Sequence, residues 1–158
     1  PPRVPRLGLR IELPGASWQA SWLGETMIGY PDMSVPGTPG GAAAPTPLTY
    51  GTLACGPQEG GHRAGLEALS LRGEAGEFLI LPASPLGWSV SPWDERELAQ
   101  ASHWEDLPES NRLFLWLDVF QDGIGTRSCG PDARPEFAGR MRECELRCVI
   151  AQVGDGCI

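Results

Sequence analysis

Leu7, Leu9, Ile11 and Leu13 alternate with Gly8, Arg10 and Glu12, the period-two pattern of a half-buried strand, and Pro14-Gly15 ends it. Trp18, Ala20 and Trp22 repeat the alternation, so a second strand follows the turn. From Met33 to Pro47 the chain turns to Pro, Gly, Ala and Thr without a period, which predicts a long loop or a locally disordered insert. The apolar runs Leu66–Leu71 and Phe78–Leu81 flank Arg72-Gly73-Glu74-Ala75-Gly76 and predict a hairpin. A helix is expected from Ser91 to about Ala101, with Ser91 as N-cap, Pro92 in the first helical position and Asp94 three residues after the cap. Asp94, Glu95 and Glu97 place negative charge near its positive end.

Arg112 to Gln121 is the strongest strand. Leu113, Leu115, Leu117 and Val119 line one face; Phe114, Trp116 and Phe120 line the other, with Asp118 among them. A strand apolar on both faces is interior, and a carboxylate between aromatics must be hydrogen-bonded or reach water. Arg140 to Val153 is read as a terminal helix with Cys144 and Cys148 on one face. Many short strands with turn signals and a single short helix predict a mainly β fold, an antiparallel β-sandwich.

Composition narrows the function classes. At 158 residues the chain is about one domain. Its formal charge is −8 and all twelve basic side chains are Arg. The absence of Lys excludes a P-loop and a Schiff-base mechanism, and an acidic chain lacks the basic stripe that polyanion binding needs, so no nucleic-acid partner is expected. No apolar run nears the ~20 residues of a membrane helix, so no membrane partner is expected either. The five cysteines are odd in number and lack paired CxxC spacing, which reads as reduced thiols of a cytoplasmic protein without a zinc site. The chain opens Pro1-Pro2 without Met, as a piece of something longer would.

No catalytic constellation emerges from the residues. Asp118 and Asp122 are the tempting carboxylate pair, but residues four apart on an extended strand sit roughly 13 Å from each other, beyond the ~5–9.5 Å of glycosidases. His62 and His103 are far apart with no nucleophile motif near either. The Gly123-Ile124-Gly125 loop has no following helix or Lys to cradle phosphate. Cys129 reads as a loop thiol, with only Arg127 nearby to lower its pKa.

Taken together, strand and loop carry a resemblance. LFLWLDVFQDGIGTRSCGPDARPEF (Leu113 to Phe137) resembles the C-terminal signature of glycoside hydrolase family 2 β-galactosidases: an apolar strand ending in Asp, a Gly-Ile-Gly turn, Ser-Cys-Gly-Pro, then Pro-Glu-Phe. PQEGGHR (Pro57 to Arg63), Pro85 to Trp93 with the acidic helix, SHWEDLP (Ser102 to Pro108), PRLGLRIELPG (Pro5 to Gly15), Trp22-Leu23-Gly24 and Tyr30-Pro31-Asp32 are similar to further family segments in order and spacing.

The resemblance implies part of a galactose-mutarotase-like supersandwich, the small-chain domain at the C-terminus of such enzymes. It assigns residues 5–137 to that domain, with 33–48 a Pro/Gly-rich loop that has lost the family's strand pattern, and 138–158 to a divergent tail. It also implies that the catalytic Glu pair and the Mg²⁺ ligands sit in a separate (β/α)₈ barrel. No catalytic residue, metal or cofactor is therefore expected in this chain, and the partners would be a galactoside sugar and that barrel. Ser128 and Cys129 are the candidate sugar-pocket residues by resemblance; Glu59, Arg63, His103, Asp118 and Gly125 match structural motif positions. Two other readings stand beside this one: a stand-alone carbohydrate-binding module using Trp88, Trp93 or Trp104 as platforms, and a degenerate fragment without sugar chemistry.

Overall fold

The computed structural model describes residues 3–25, 29–31, 40, 42–47 (backbone only), 56–123, 130–140 and 143–154. Among the described residues, nine strands, β1 (Arg6–Pro14), β2 (Trp18–Leu23), β3 (Ala42–Pro47), β4 (Arg63–Leu66), β5 (Ala68–Gly73), β6 (Gly76–Pro82), β7 (Leu86–Ser91), β8 (Arg112–Gln121) and β9 (Cys148–Val153), are accompanied by one α-helix, α1 (Glu95–Gln100). They form two antiparallel sheets, ordered β1-β8-β7-β4 and β3-β2-β5-β6-β9, packed as a sandwich. This is the predicted mainly β architecture.

The core lies between the sheets. Leu113, Leu115, Leu117, Trp88, Val90 and Leu66 from the first meet Trp18, Ala20, Leu69, Leu71 and Ile80 from the second, all buried. β8 is interior in its sheet, and Leu113 through Asp118 are buried on both faces, as its two-sided apolar pattern requires. Its outward side chains Phe114 and Trp116 are roofed by α1. The roof is held by Glu95, which accepts from Trp116 Nε1 (2.8 Å) and Arg10 Nη1 (2.9 Å), and by the Arg112–Glu97 ion pair.

Three expectations are corrected. The helix begins later than Ser91: Asp94 is the N-cap, its Oδ1 accepting from the Arg96 and Glu97 amides (2.8 and 2.9 Å), while Glu97 Oε2 accepts from the Asp94 amide (2.9 Å). This reciprocal pair satisfies orphan donors that Ser91 cannot reach, and the Ser91 hydroxyl instead accepts from the Trp93 amide within a turn. Within the aperiodic stretch, residues 42–47 form strand β3; Pro45 and Pro47 are tolerated because β3 is the outermost strand of its sheet. The predicted C-terminal helix is absent, and Cys148–Val153 instead pairs with β6 from Pro82↔Cys148 to Glu77↔Val153. Val149, Ile150 and Val153 are β-formers whose pairing outcompetes an i,i+4 reading.

The outer face of the five-stranded sheet carries exposed Leu23, Leu81, Val149 and Val153.

Candidate functional site

The polar centre of the described residues lies on the outward face of the four-stranded sheet, near the C-terminal end of β8. β8 turns Asp118 outward, and the antiparallel β1, in register Gly8↔Asp118 and Arg6↔Gln121 with a bulge between Leu7 and Gly8, swings Arg6 beside it. Arg6 Nε and Nη2 donate to the two Asp118 oxygens at 2.7 Å each, a bidentate fork. Nη2 also donates to Ser89 Oγ (2.8 Å) and Nη1 to Glu59 Oε1 (2.9 Å), while the guanidinium lies 5.1 Å from the Trp116 ring centre. The Asp118 side chain is 1% exposed and that of Arg6 14%, so water screens little of this pair. Only glycine fits opposite: a Cβ at Gly8 would lie 2.5 Å from Asp118 Oδ1 and 2.3 Å from the Leu117 carbonyl oxygen. Burial pushes the Asp118 and Glu59 carboxyls up, and the Arg6 charge opposes it in both.

The 57–63 segment supplies three braces from one short run. Glu59 holds Arg6. His62 Nδ1 lies 2.7 Å from the Gly29 carbonyl, and its ring stacks on Tyr30 with centroids 5.6 Å apart. Arg63 is buried between Trp22 (5.2 Å) and Trp88 (5.1 Å) and donates to the Gly61 carbonyl (3.0 Å). Glu59, Arg63 and Asp118, matched as motif positions by resemblance, are thus tied into one stretch of sheet. His103 is exposed and serves the 104–106 turn, its amide donating to Asp106 Oδ2 (2.8 Å).

Asp122 anchors the chain where it leaves β8. Its amide donates to the Pro5 carbonyl (2.7 Å), and its carboxylate accepts from Arg3 Nε (2.8 Å) and from the Gly139 amide. The Gly123 amide donates to the Phe137 carbonyl (2.9 Å), and Arg3 Nη1 bridges on to Asp132 (2.8 Å). A Cβ at Gly139 would lie 1.9 Å from Phe120 Cε1, so the 137–139 segment packs closely against the end of β8. The sugar-pocket candidates Ser128 and Cys129, and Gly125, lie outside the described residues.

Asp118 and Asp122 are each committed to an arginine, which suits braces rather than proton donors. The tryptophan platforms are corrected in part: Trp88 is wholly buried. Trp93 and Trp104 pair at 6.1 Å and, with Trp116 and Glu59, enclose only about 20 Å³, room for one water-sized molecule. Sequence reasoning missed Arg6, Arg3, Ser89 and Tyr30 as partners; the sole signal was that Asp118 needed one.

Tyr30 provides a titratable reporter. Its phenol is pushed up to about 12, first by burial and then by the Glu59 carboxylate, with Arg6 opposing. A folded-state pKa above the unfolded value of about 10 gives stability fully present below about pH 10 and lost as pH rises through about 12. The chain has no Lys to titrate across this range. Urea melts across it are expected to show a loss of up to about 3 kcal/mol, which Tyr30→Phe removes; an unchanged slope in that variant refutes the assignment.

The β-galactosidase small-chain family profile matches residues 1–150. The chain is 36% identical to a β-galactosidase of Arthrobacter sp. (strain B7) over 94% of its own length and 15% of that protein's. It is 35% identical to one of Actinobacillus pleuropneumoniae over 58% of this chain and 8% of that protein, and 31% identical to one of Aeromonas hydrophila over 92% and 14%. The chain therefore spans about a seventh of the curated relatives it matches along most of its length.

Proposed function

The chain belongs to the β-galactosidase small-chain family, and from that premise we propose that it is a non-catalytic part of a β-galactosidase-type glycoside hydrolase, contributing a loop to the sugar pocket. The observation that carries the reading is the match across nearly the whole chain to a small share of much larger β-galactosidases. Three structural features support it. The buried carboxylates of the described residues are held by arginines, which leaves general acid and nucleophile roles to a separate barrel. Asp122 and Gly123, the last described residues before position 124, are held to Pro5, Phe137 and Gly139, which gives the chain leaving β8 a firm base. The exposed Leu23, Leu81, Val149 and Val153 give a partner domain an apolar surface to cover.

In this reading Ser128 supplies a polar contact to a terminal β-galactoside, and Cys129 shapes the wall with less apolar area than an aromatic side chain offers. Mg²⁺ belongs to the barrel partner, outside this chain. Mixing this chain with a barrel-bearing β-galactosidase fragment that lacks its small chain is expected to raise galactoside hydrolysis in a saturable manner. No gain across a wide concentration range overturns the reading.

A further inference from the structure

A notch opens beside the Arg6–Asp118 pair where two strands end out of step. The β7–β8 ladder starts at Gly87↔Asp118, yet β8 runs on to Gln121, paired over that length with β1 on its other edge. The step leaves a cavity of about 290 Å³, walled by Phe120, Phe137 and Pro31 and by His62, Gly87 and Gln121. That is close to the lower end of ligand pockets, roughly 300 Å³, and suits one small ring rather than a chain.

Two buried polar atoms of its lining lack an intramolecular partner: His62 Nε2 and Gln121 Oε1. His62 is 2% exposed. Its Nδ1 faces the Gly29 carbonyl at 2.7 Å, and a carbonyl can only accept, so Nδ1 carries the hydrogen. Burial lowers the pKa of the ring and favours its neutral form, in which Nε2 is an acceptor. Nε2 lies against Gly87, where a Cβ would come within 2.5 Å of it, so only glycine leaves room for the ring in this wall of the notch. Two neutral acceptors ask for hydroxyl donors, and a buried acceptor left without one costs roughly 1–3 kcal/mol. The adjoining Asp118 charge is already matched by Arg6, which removes the reason for a cation to enter. Phe120, Phe137 and Pro31 suit the apolar C–H face of a sugar ring.

We propose that this notch is a binding subsite for one hexopyranoside ring, whose hydroxyls donate to His62 Nε2 and Gln121 Oε1 while its C–H face lies on Phe120 and Phe137. The subsite is separate from the tryptophan pair, and it stands without a catalytic partner. Its test is binding to this chain alone, so its failure is distinct from a failure to gain hydrolysis on mixing.

The probe is methyl β-galactopyranoside, followed through the imidazole ¹⁵N resonances of His62. The Nε2 signal is expected to move upfield saturably, with a Kd on the order of 1–10 mM for a single ring. His62→Phe and, independently, Gln121→Met are each expected to weaken binding about fivefold or more, read for the former from ligand-observed saturation transfer. Trp93→Phe is expected to leave it unchanged. Glycerol, which has the hydroxyls but no rigid apolar face, is expected to leave Nε2 in place at equal concentration. The proposal is overturned by a static Nε2 signal at roughly 100 mM ligand, by an equal response to glycerol, by undiminished affinity in Gln121→Met, or by loss of binding in Trp93→Phe.

Discussion

Arg6→Ala is expected to cost about 3–5 kcal/mol, because it strands the Asp118 carboxylate in a site that water scarcely reaches. Asp118 is 1% exposed and receives two of its hydrogen bonds from that one guanidinium. The same change releases Ser89 and Glu59, and with Glu59 the 57–63 segment loses one of its braces. Asp118→Ala should cost less, since Arg6 keeps Glu59 and sits nearer solvent. The double change Arg6→Met with Asp118→Leu should recover most of the loss, as apolar replacement of a buried pair commonly does.

A pH signature separates stranded charge from lost packing. With Arg6 gone, the burial that pushes the Asp118 carboxyl up loses its chief opposition. A raised folded-state pKa gives stability that is full below the unfolded value of about 3.9 and lost as pH rises through the folded value. The deficit of Arg6→Ala against the parent should therefore shrink on acidification from about pH 7 toward about pH 4. Guanidinium melts at both values measure it. A loss under about 1 kcal/mol at neutral pH, the worth of an exposed ion pair, refutes the assignment.

The sequence made the sandwich legible where one residue pattern had one solution. Alternation in β1, β2 and the β5–β6 hairpin, and the two-sided apolar run of β8, translated directly into strands. It failed where tertiary pairing decided. Residues 42–47 carry prolines and no period, and become a strand only because β2 offers a free edge. Cys148–Val153 has an ambiguous pattern that pairing with β6 resolves. At the site, Asp118 announced its need for a partner but not that Arg6, 112 residues away, supplies it. His62 read as a structural histidine by its isolation in sequence, whereas the strand step beside Gly87 is visible only in three dimensions.

Trp88→Ala should have an effect of similar size, about 3–5 kcal/mol, a large share of the stability of an ordinary domain, about 5–15 kcal/mol. Trp88 is wholly buried, in register with Leu117 on one side and Arg63 on the other. Its ring meets Trp22 edge-on at 5.4 Å, and the Arg63 guanidinium lies 5.1 Å from its centre. Removing it opens a cavity and deprives a buried cation of one of its two aromatic faces, so the damage reaches beyond the lost apolar area. Trp88→Phe should be far milder, on the order of 1–2 kcal/mol, because the indole Nε1 makes no hydrogen bond that phenylalanine would forfeit. The pair of variants also decides between the interior role and a sugar platform. An interior tryptophan makes stability follow side-chain volume, with the alanine variant melting well below the phenylalanine variant. A platform would leave both variants folded and remove only the fluorescence response to galactose, and that result would show that the Trp22–Arg63–Trp88 stack does not hold the sheets together.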